Sequence, residues 1–553
     1  MPLQRAAALR RLATEEFDVL VVGGGITGLG TALDAVSRGL RTALVERDDF
    51  SSGTSSKSSK LSHGGLRYLQ QGDVQLVYEA LHERQRMLRN APHLVQPMAF
   101  MIPLQAKGGV VPRRIARAFG SALWMYDLTG GWRIGRLHRR IGSEAARGHF
   151  PTAPEGRIAG AYLYYDATVD DSRLCIAVAR TAAARGAAIA NRARVVSIVH
   201  DGRGRAAGAR VSTPDAGEIE VRARTVVNAS GVWSDAVRTA DEGRDPRSIR
   251  PAKGIHVTFP WSKIRNDVAV IVPVRQDKRS LFVVPWVPNG DGTYRYTYVG
   301  TTDTDFAGGT DESQCSRDDV DYVLRAMNDA LAVPLGRDDV TAAWSGLRPL
   351  VRSDDASGKT ADLSRRHKVA VSESGVVTIS GGKLTTYRKM SEHAVDAAAK
   401  LLGVRARSRT RRLRLVGADG FDRRDLAGSD AHLAGRYGSE RVRIEQLVRD
   451  RPDLAEPLVP GLPYLRAEAV FAVREEMAMS LDDVLSRRTR ARLLDRRASV
   501  AAARSVAELL AAELGWSPDR IDAEVREFTD SCAREDAAAE VSEAEYLASH
   551  RQD

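Results

Sequence analysis

The sequence predicts an α/β fold with an α-helical C-terminal domain, on three observations. Phe17–Arg47, FDVLVVGGGITGLGTALDAVSRGLRTALVER, lays out a strand, a glycine loop, a helix and a second strand. Two later segments, Thr225–Trp233 (TVVNASGVW) and Val376–Lys389 (VVTISGGKLTTYRK), are apolar strands ending in glycine turns. Ala467–Leu514 carries helical apolar periodicity, closed by a turn signal at Gly515-Trp516-Ser517-Pro518.

In the first unit Asp18–Val22 reads as a buried parallel strand, and Gly23, Gly25 and Gly28 fill the G-x-G-x-x-G positions. The first glycine permits a tight turn, the second lets backbone approach a pyrophosphate, and the third lets helix and strand pack closely. Glu46 ends the second strand, where a carboxylate can accept from a ribose diol and would repel a 2′-phosphate. This favours FAD or NAD over NADP. The following stretch, Ser51–Leu69 (SSGTSSKSSKLSHGGLRYL), ends in a His, an Arg, a Tyr and two Leu, which a flexible linker would not. A loop of small residues starting beside the ribose can run along the cofactor and offer it backbone N–H groups. The later turns return main chain, and one helix N-terminus, to the same place. The candidate cofactor contacts are therefore Gly23, Gly25, Gly28, Glu46, Thr54, Ser55, Ser58, Ser59, Lys60, Ser62, His63, Gly64, Ser230, Gly231, Gly382, Lys383, Leu384 and Thr385.

The stretches GGGITGLG, TSSKSSKLSHGGLRYL, VYEALHERQRMLRNAPHL, DDSRL, VVNASGVWSD, KGIHV, VGTTDTD, GLRPL and ISGGKLTTYRKM together resemble the FAD-dependent glycerol-3-phosphate dehydrogenases of the D-amino-acid-oxidase-like flavoproteins. DVLSRRTRARL (Asp483–Leu493) resembles that family's C-terminal domain. The resemblance implies a Rossmann-like FAD-binding domain interleaved with an antiparallel-sheet substrate domain, FAD as cofactor, and electron transfer to a membrane quinone by a peripheral enzyme.

Glycerol 3-phosphate offers a dianion and a secondary alcohol, so the site needs cations at one end and a base at the other. The resemblance places Arg348 (WSGLRPL) and Arg365 (DLSRRH) in the substrate site as phosphate ligands, with Arg366 the alternative to Arg365. Arg67, Tyr68 and Lys383 complete the polar shell. Two histidines compete for the proton: His63, in a glycine-rich loop, and His256, in the alternating strand Ile255–Phe259. No metal ligand set is apparent. An oxidase returning electrons to oxygen, or one acting on an amine or amino acid, is the alternative; Arg348, Arg365 and Lys383 argue for a phosphate.

At 553 residues and 43% hydrophobic content the chain has room for two or three domains with large cores. Six arginines crowd into Arg405–Arg414, which suggests domains at 15–403 and 404–553. Cys175, Cys315 and Cys532 are far apart, consistent with a reducing cytoplasm. The N-terminal MPLQRAAALRRLATEE has no apolar h-region and no run of eighteen apolar residues occurs, so neither secretion nor a membrane span is expected. Only 11 of the 82 basic residues are Lys, and Lys60, Lys253, Lys383 and Lys389 all fall in motifs. Val110–Ile141 mixes seven arginines with Phe119, Trp124, Tyr126 and Trp132, the composition of an interfacial helix on an anionic membrane; a core-packed helix is the alternative. The expected partners are glycerol 3-phosphate, a quinone and the inner face of the cell membrane, with a homodimer left open. A pI near 9.6 and the clusters Arg405–Arg414 and Arg487–Arg497 raise a flavin-containing nucleic-acid binder, but no aromatics interleave with them for base stacking.

Overall fold

Val19–Val22 and Thr42–Val45 are fully buried β-branched and leucine-rich strands that pair in parallel, Val19 opposite Thr42. They sit in a six-stranded sheet ordered Lys368–Val371, Val377–Ser380, Val226–Asn228, Val19–Val22, Thr42–Val45, Ala188–Ala190. All neighbours run parallel except the first pair. Asp18 lies outside the strand; Glu16–Phe17 instead joins a four-stranded sheet beside Gly217–Ala223. The computed structural model describes residues 2–66, 68, 73–105, 113–274, 279–311, 313–352, 366–426 and 431–549, and for 113–118 the backbone alone.

The helix Ile26–Ser37 crosses the sheet against Asp171–Ala184 and Tyr387–Leu402. Close approach is possible because Gly30 carries no side chain: a Cβ there would stand 2.5 Å from Ser391 Oγ. Between its visits to this sheet the chain builds a ten-stranded, mostly antiparallel sheet from segments 61–105, 139–169, 249–305 and 342–351. The expected interleaving of two sheet systems is what the topology shows.

Tyr387–Leu402 ends at Gly403 with φ +70°, and beyond it Arg466–Glu476, Arg496–Leu514 and Pro518–Glu540 pack around a core that includes Phe471, Leu510 and Phe528. The predicted turn ends one helix on Gly515 (φ +69°) and starts the next with Ser517 accepting from the Arg520 N–H, Pro518 in its first turn. The Arg-rich segment is the surprise. Arg487, Arg488, Arg490 and Arg492 are all buried, paired with Asp49, Asp482, Asp483, Asp170, Asp171 and Glu535. Most of the second cluster that suggested nucleic acid is therefore interior. Among the described residues no helix is long and apolar enough to cross a membrane, and the three cysteines are buried thiols.

The segment read as interfacial is a helix, Arg113–Leu128, followed by a turn, Gly131–Ile134. One face packs into the core and the opposite face is exposed and apolar. Leu123 and Tyr126 are buried, while Trp124, Met125, Leu128 and Trp132 are exposed. The side chains of Arg113, Arg114 and Arg117 lie outside the described residues.

Candidate active site

The glycine loop borders a cavity of about 550 Å³ lined by Gly23, Gly25, Glu46, Thr54, Ser55, Ser230, Gly231, Gly382, Lys383 and Leu384. These come from the four segments that the sequence brings together. Gly25 caps the helix Ile26–Ser37, and a Cβ on it would project into space where only Ser55 Oγ comes within 4 Å, at 3.1 Å. A Cβ on Gly28 would meet Gly23 O at 1.9 Å. One glycine thus leaves room for a ligand and the other lets helix and strand touch. A helix N-terminus whose N-cap glycine offers no side-chain cap, facing such a cradle, fits a pyrophosphate, so the residues present fit FAD.

Glu46 lines the same cavity at the end of the second strand. Its carboxylate accepts from the N–H groups of Gly24 (2.5 Å) and Asp48 (2.8 Å). Burial lifts its pKa from 4.5 to about 7 against those two hydrogen bonds. Ribose hydroxyls donating to it favour the charged form, so binding releases a proton and affinity should rise with pH until the carboxylate is already ionised. FAD affinity of the stripped protein is expected to weaken by up to about tenfold per unit below pH 7. Fluorescence titration across pH checks this, and an unchanged slope in Glu46→Gln would refute it.

The loop after Glu46 divides its duties. Ser55 Oγ accepts the Ile26 N–H (2.9 Å), and Thr54 Oγ1 donates to Leu347 O (2.6 Å). These two face the cavity. Ser58 and Lys60, expected as cofactor contacts, turn inward: the Ser58 hydroxyl donates to Asp171 (2.6 Å), and Lys60 Nζ reaches Asp171 and Ser56 O at 3.2 and 3.1 Å. Lys60 is buried, its pKa pushed down to about 8 by burial first and then by Arg490. Ser62 is also interior, its hydroxyl against Met87 Sδ. Local spacing cannot distinguish these from Thr54 and Ser55, because their partner Asp171 is more than a hundred residues away. The lysine bias resolves in the same way: Lys253 pairs with Asp319 and Lys389 with Glu392, leaving Lys383 as the one of the four on the cavity.

His63 and Gly64 do not line the cavity but are tied beside it. His63 N–H donates to Thr385 Oγ1 (3.2 Å), and Gly64 N–H to Tyr126 Oη (3.0 Å). Tyr126 in turn donates to Asp166 (2.7 Å), which Arg84 also holds. This buried trio, missed in the sequence, places the glycine pair; Asp166 in the apolar strand Ile158–Val169 was the available signal. Lys383 Nζ lies 3.6 Å over the ring of Tyr68. Arg67 and Arg365 lie outside the described residues. Arg366, the alternative phosphate ligand, is largely exposed and donates to Asp73 Oδ1 (2.9 Å).

On the substrate sheet His256 pairs across to Trp344 and Ala252 to Arg348, so His256, Gly254, Trp344 and Arg348 share a face. The Arg348 guanidinium covers Gly254, where a Cβ would stand 2.4 Å from Nη2, and it contacts Asp303 (3.0 Å) and Thr301 Oγ1 (2.9 Å). His256 stacks on Trp344 (4.8 Å, 11°) and pairs Nε2 with Ser59 Oγ (2.9 Å). Its Nδ1 has no hydrogen-bond partner among the described residues. Burial, then Lys60 and Arg348, hold its pKa well below the ordinary value, so the ring is neutral. The loop that edges the cofactor cavity thus lies directly against the face that carries His256 and Arg348.

Residues 18–388 match the family model of FAD dependent oxidoreductases, and 408–521 that of the C-terminal domain of alpha-glycerophosphate oxidase. A Mycobacterium tuberculosis protein named glycerol-3-phosphate dehydrogenase 2 is 40% identical over 95% of this chain and 90% of its own length. The mouse mitochondrial glycerol-3-phosphate dehydrogenase is 39% identical over 96% of this chain and 75% of its own. A Bacillus halodurans glycerol-3-phosphate dehydrogenase, solved in complex with FAD, superimposes with a TM-score of 0.75 at 29% identity, covering 96% of both chains. With cradle, acid and interleaved sheets all in place, the chain belongs to the FAD-dependent oxidoreductases, among the glycerol-3-phosphate dehydrogenases.

Proposed function

We propose that this chain oxidises sn-glycerol 3-phosphate to dihydroxyacetone phosphate and passes the electrons to a membrane quinone. The observation that carries this is the shared face of Arg348 and His256 beneath the loop bordering the cofactor cavity. FAD, when bound, supplies the acceptor for the hydride leaving C2. Arg348 binds the phosphate, with Lys383 and Tyr68 adding contacts from the Gly381-Gly382 side. Of the two histidines we assign the C2 hydroxyl proton to His256, whose neutral ring has one unpartnered nitrogen while Ser59 fixes its orientation; the bound phosphate dianion must offset Lys60 and Arg348 to raise its depressed basicity. The Thr54–Ser59 segment keeps water from the stacked His256–Trp344 pair. The exposed apolar face at Trp124–Trp132 supports peripheral docking on the inner face of the membrane, within reach of quinone. The division at residue 403 into a catalytic unit and a helical C-terminal domain accompanies this reading.

Replacing Arg348 by Ala removes charge-assisted hydrogen bonds of about 1.5–3 kcal/mol each, so kcat/KM for glycerol 3-phosphate should fall by one to several orders of magnitude. Steady-state assays with a soluble dye test it. Equal turnover of plain glycerol by the unmodified enzyme would refute the phosphate assignment. Anaerobic bleaching of the flavin by glycerol 3-phosphate, followed by reoxidation with a ubiquinone or menaquinone analogue against oxygen, tests the acceptor.

A further inference from the structure

A second pocket, of about 290 Å³, shares no residue with the cofactor cavity and is lined by His82, Arg86, Arg89, Arg133, Arg411 and Arg412 among others. Three separate elements deliver them: the helix Val74–Asn90, the turn Gly131–Ile134 and the turn Thr410–Arg412. Carboxylates nearby do not neutralise the group. Glu83 and Glu392, which touch Arg86 and Arg411, are already claimed by the buried Arg388 at 2.7 and 2.6 Å. His82 Nε2 and Arg133 Nε are buried and have no hydrogen-bond partner among the described residues. Five guanidinium groups surround one hollow, Arg89, Arg411 and Arg412 at its exposed side, so an anion between them relieves their repulsion and can pair with the two buried nitrogens left unpartnered.

The rim indicates which anion. Arg133 stacks on Trp132 at 4.9 Å and Tyr78 packs on His82 at 4.1 Å. Trp132 and Tyr78 are 53% and 50% exposed, and the helix Arg113–Leu128 that precedes Trp132 exposes Trp124 and Leu128 as well. Free phosphate needs no apolar border, whereas a phospholipid needs one for its glycerol backbone and chains. We propose that this pocket receives the headgroup phosphate of an anionic phospholipid, with the aromatic rim against the acyl region. The inference rests on the docking reading above and adds to it a defined lipid site, made partly by the C-terminal domain.

The test is cosedimentation of the FAD-loaded enzyme with vesicles of phosphatidylcholine alone or mixed with phosphatidylglycerol. Three variants are compared: wild type, R89Q/R133Q/R412Q in the pocket, and R203Q/R244Q/R247Q, which removes the same charge from exposed positions elsewhere. Partitioning onto phosphatidylglycerol vesicles should fall roughly 10- to 100-fold in the pocket variant, stay near wild type in the control, and be displaced by sodium phosphate no better than by sodium chloride of equal ionic strength. Dye-linked turnover should be unchanged in both variants. Equal losses in the two triple variants would overturn the pocket and leave docking standing. Selective displacement by phosphate would make it a free-phosphate site and overturn the lipid. Wild type failing to bind any vesicle would remove the docking reading and the pocket together.

Discussion

Gly25→Val should yield a folded, colourless protein, whereas Gly28→Val should fail to fold. The two glycines are three residues apart in one motif, but their surroundings differ. At Gly25 an added Cβ meets only Ser55 Oγ, so the FAD-free protein can accept the branched side chain, which then fills the space a pyrophosphate must enter. At Gly28 the Cβ would overlap Gly23 O, at 1.9 Å, and Gly23 is itself closely packed, since a Cβ added there would meet Ala229 O at 2.7 Å. Backbone on both sides makes the cost exceed the about 1–3 kcal/mol of ordinary overpacking. Absorbance of the purified proteins in the flavin band, beside their thermal melts, separates the outcomes. A yellow, FAD-loaded Gly25→Val, or a Gly28→Val that melts like the parent, would show the cradle to be placed wrongly.

Arg488→Ala is expected to destabilise the protein by about 3–5 kcal/mol, the range for breaking a fully buried ion pair by removing one member. Arg488 grips both oxygens of Asp49, at 2.7 and 2.9 Å, and donates to Glu476 O at 2.8 Å. Neither Arg488 nor Asp49 is exposed. Arg424→Ala, which loses a surface contact to Asp422, should leave stability close to that of the parent. Denaturant unfolding of the two variants beside the parent decides; similar midpoints would mean that Arg487, which also holds Asp49, carries the pairing alone.

The parts of this protein legible in its sequence are those governed by neighbours in the chain. Glycine spacing around Gly23, Gly25 and Gly28, the acid at Glu46 and the turn at Gly515–Pro518 all follow from local rules. What could not be read depends on partners hundreds of residues away. Arg487–Arg492 looks like a basic surface until Asp49, Asp171 and Asp482 are placed against it. Lys60 and Ser58 share a loop and a composition with Thr54 and Ser55, and only the position of Asp171 separates interior from cavity. The two histidines divide likewise: His256 is sealed under Ser59 and against Trp344, whereas His63 is tethered through its backbone. In each case periodicity reports which face a residue occupies and not what meets it there.

The Asp49–Arg488 pair also sets a clock. The two residues are 439 positions apart, and at 5–20 residues per second a ribosome needs roughly 20–90 s to travel between them. Through that interval Asp49, and from its own synthesis onward Asp171, stand without their arginine partners. Asp49 follows Glu46 by three residues, at the ribose end of the cradle, and the sheet beneath it still waits for Val377–Ser380. The nascent N-terminal half therefore lacks both the strand Val377–Ser380 and the arginines that pair with Asp49 until the chain is nearly complete.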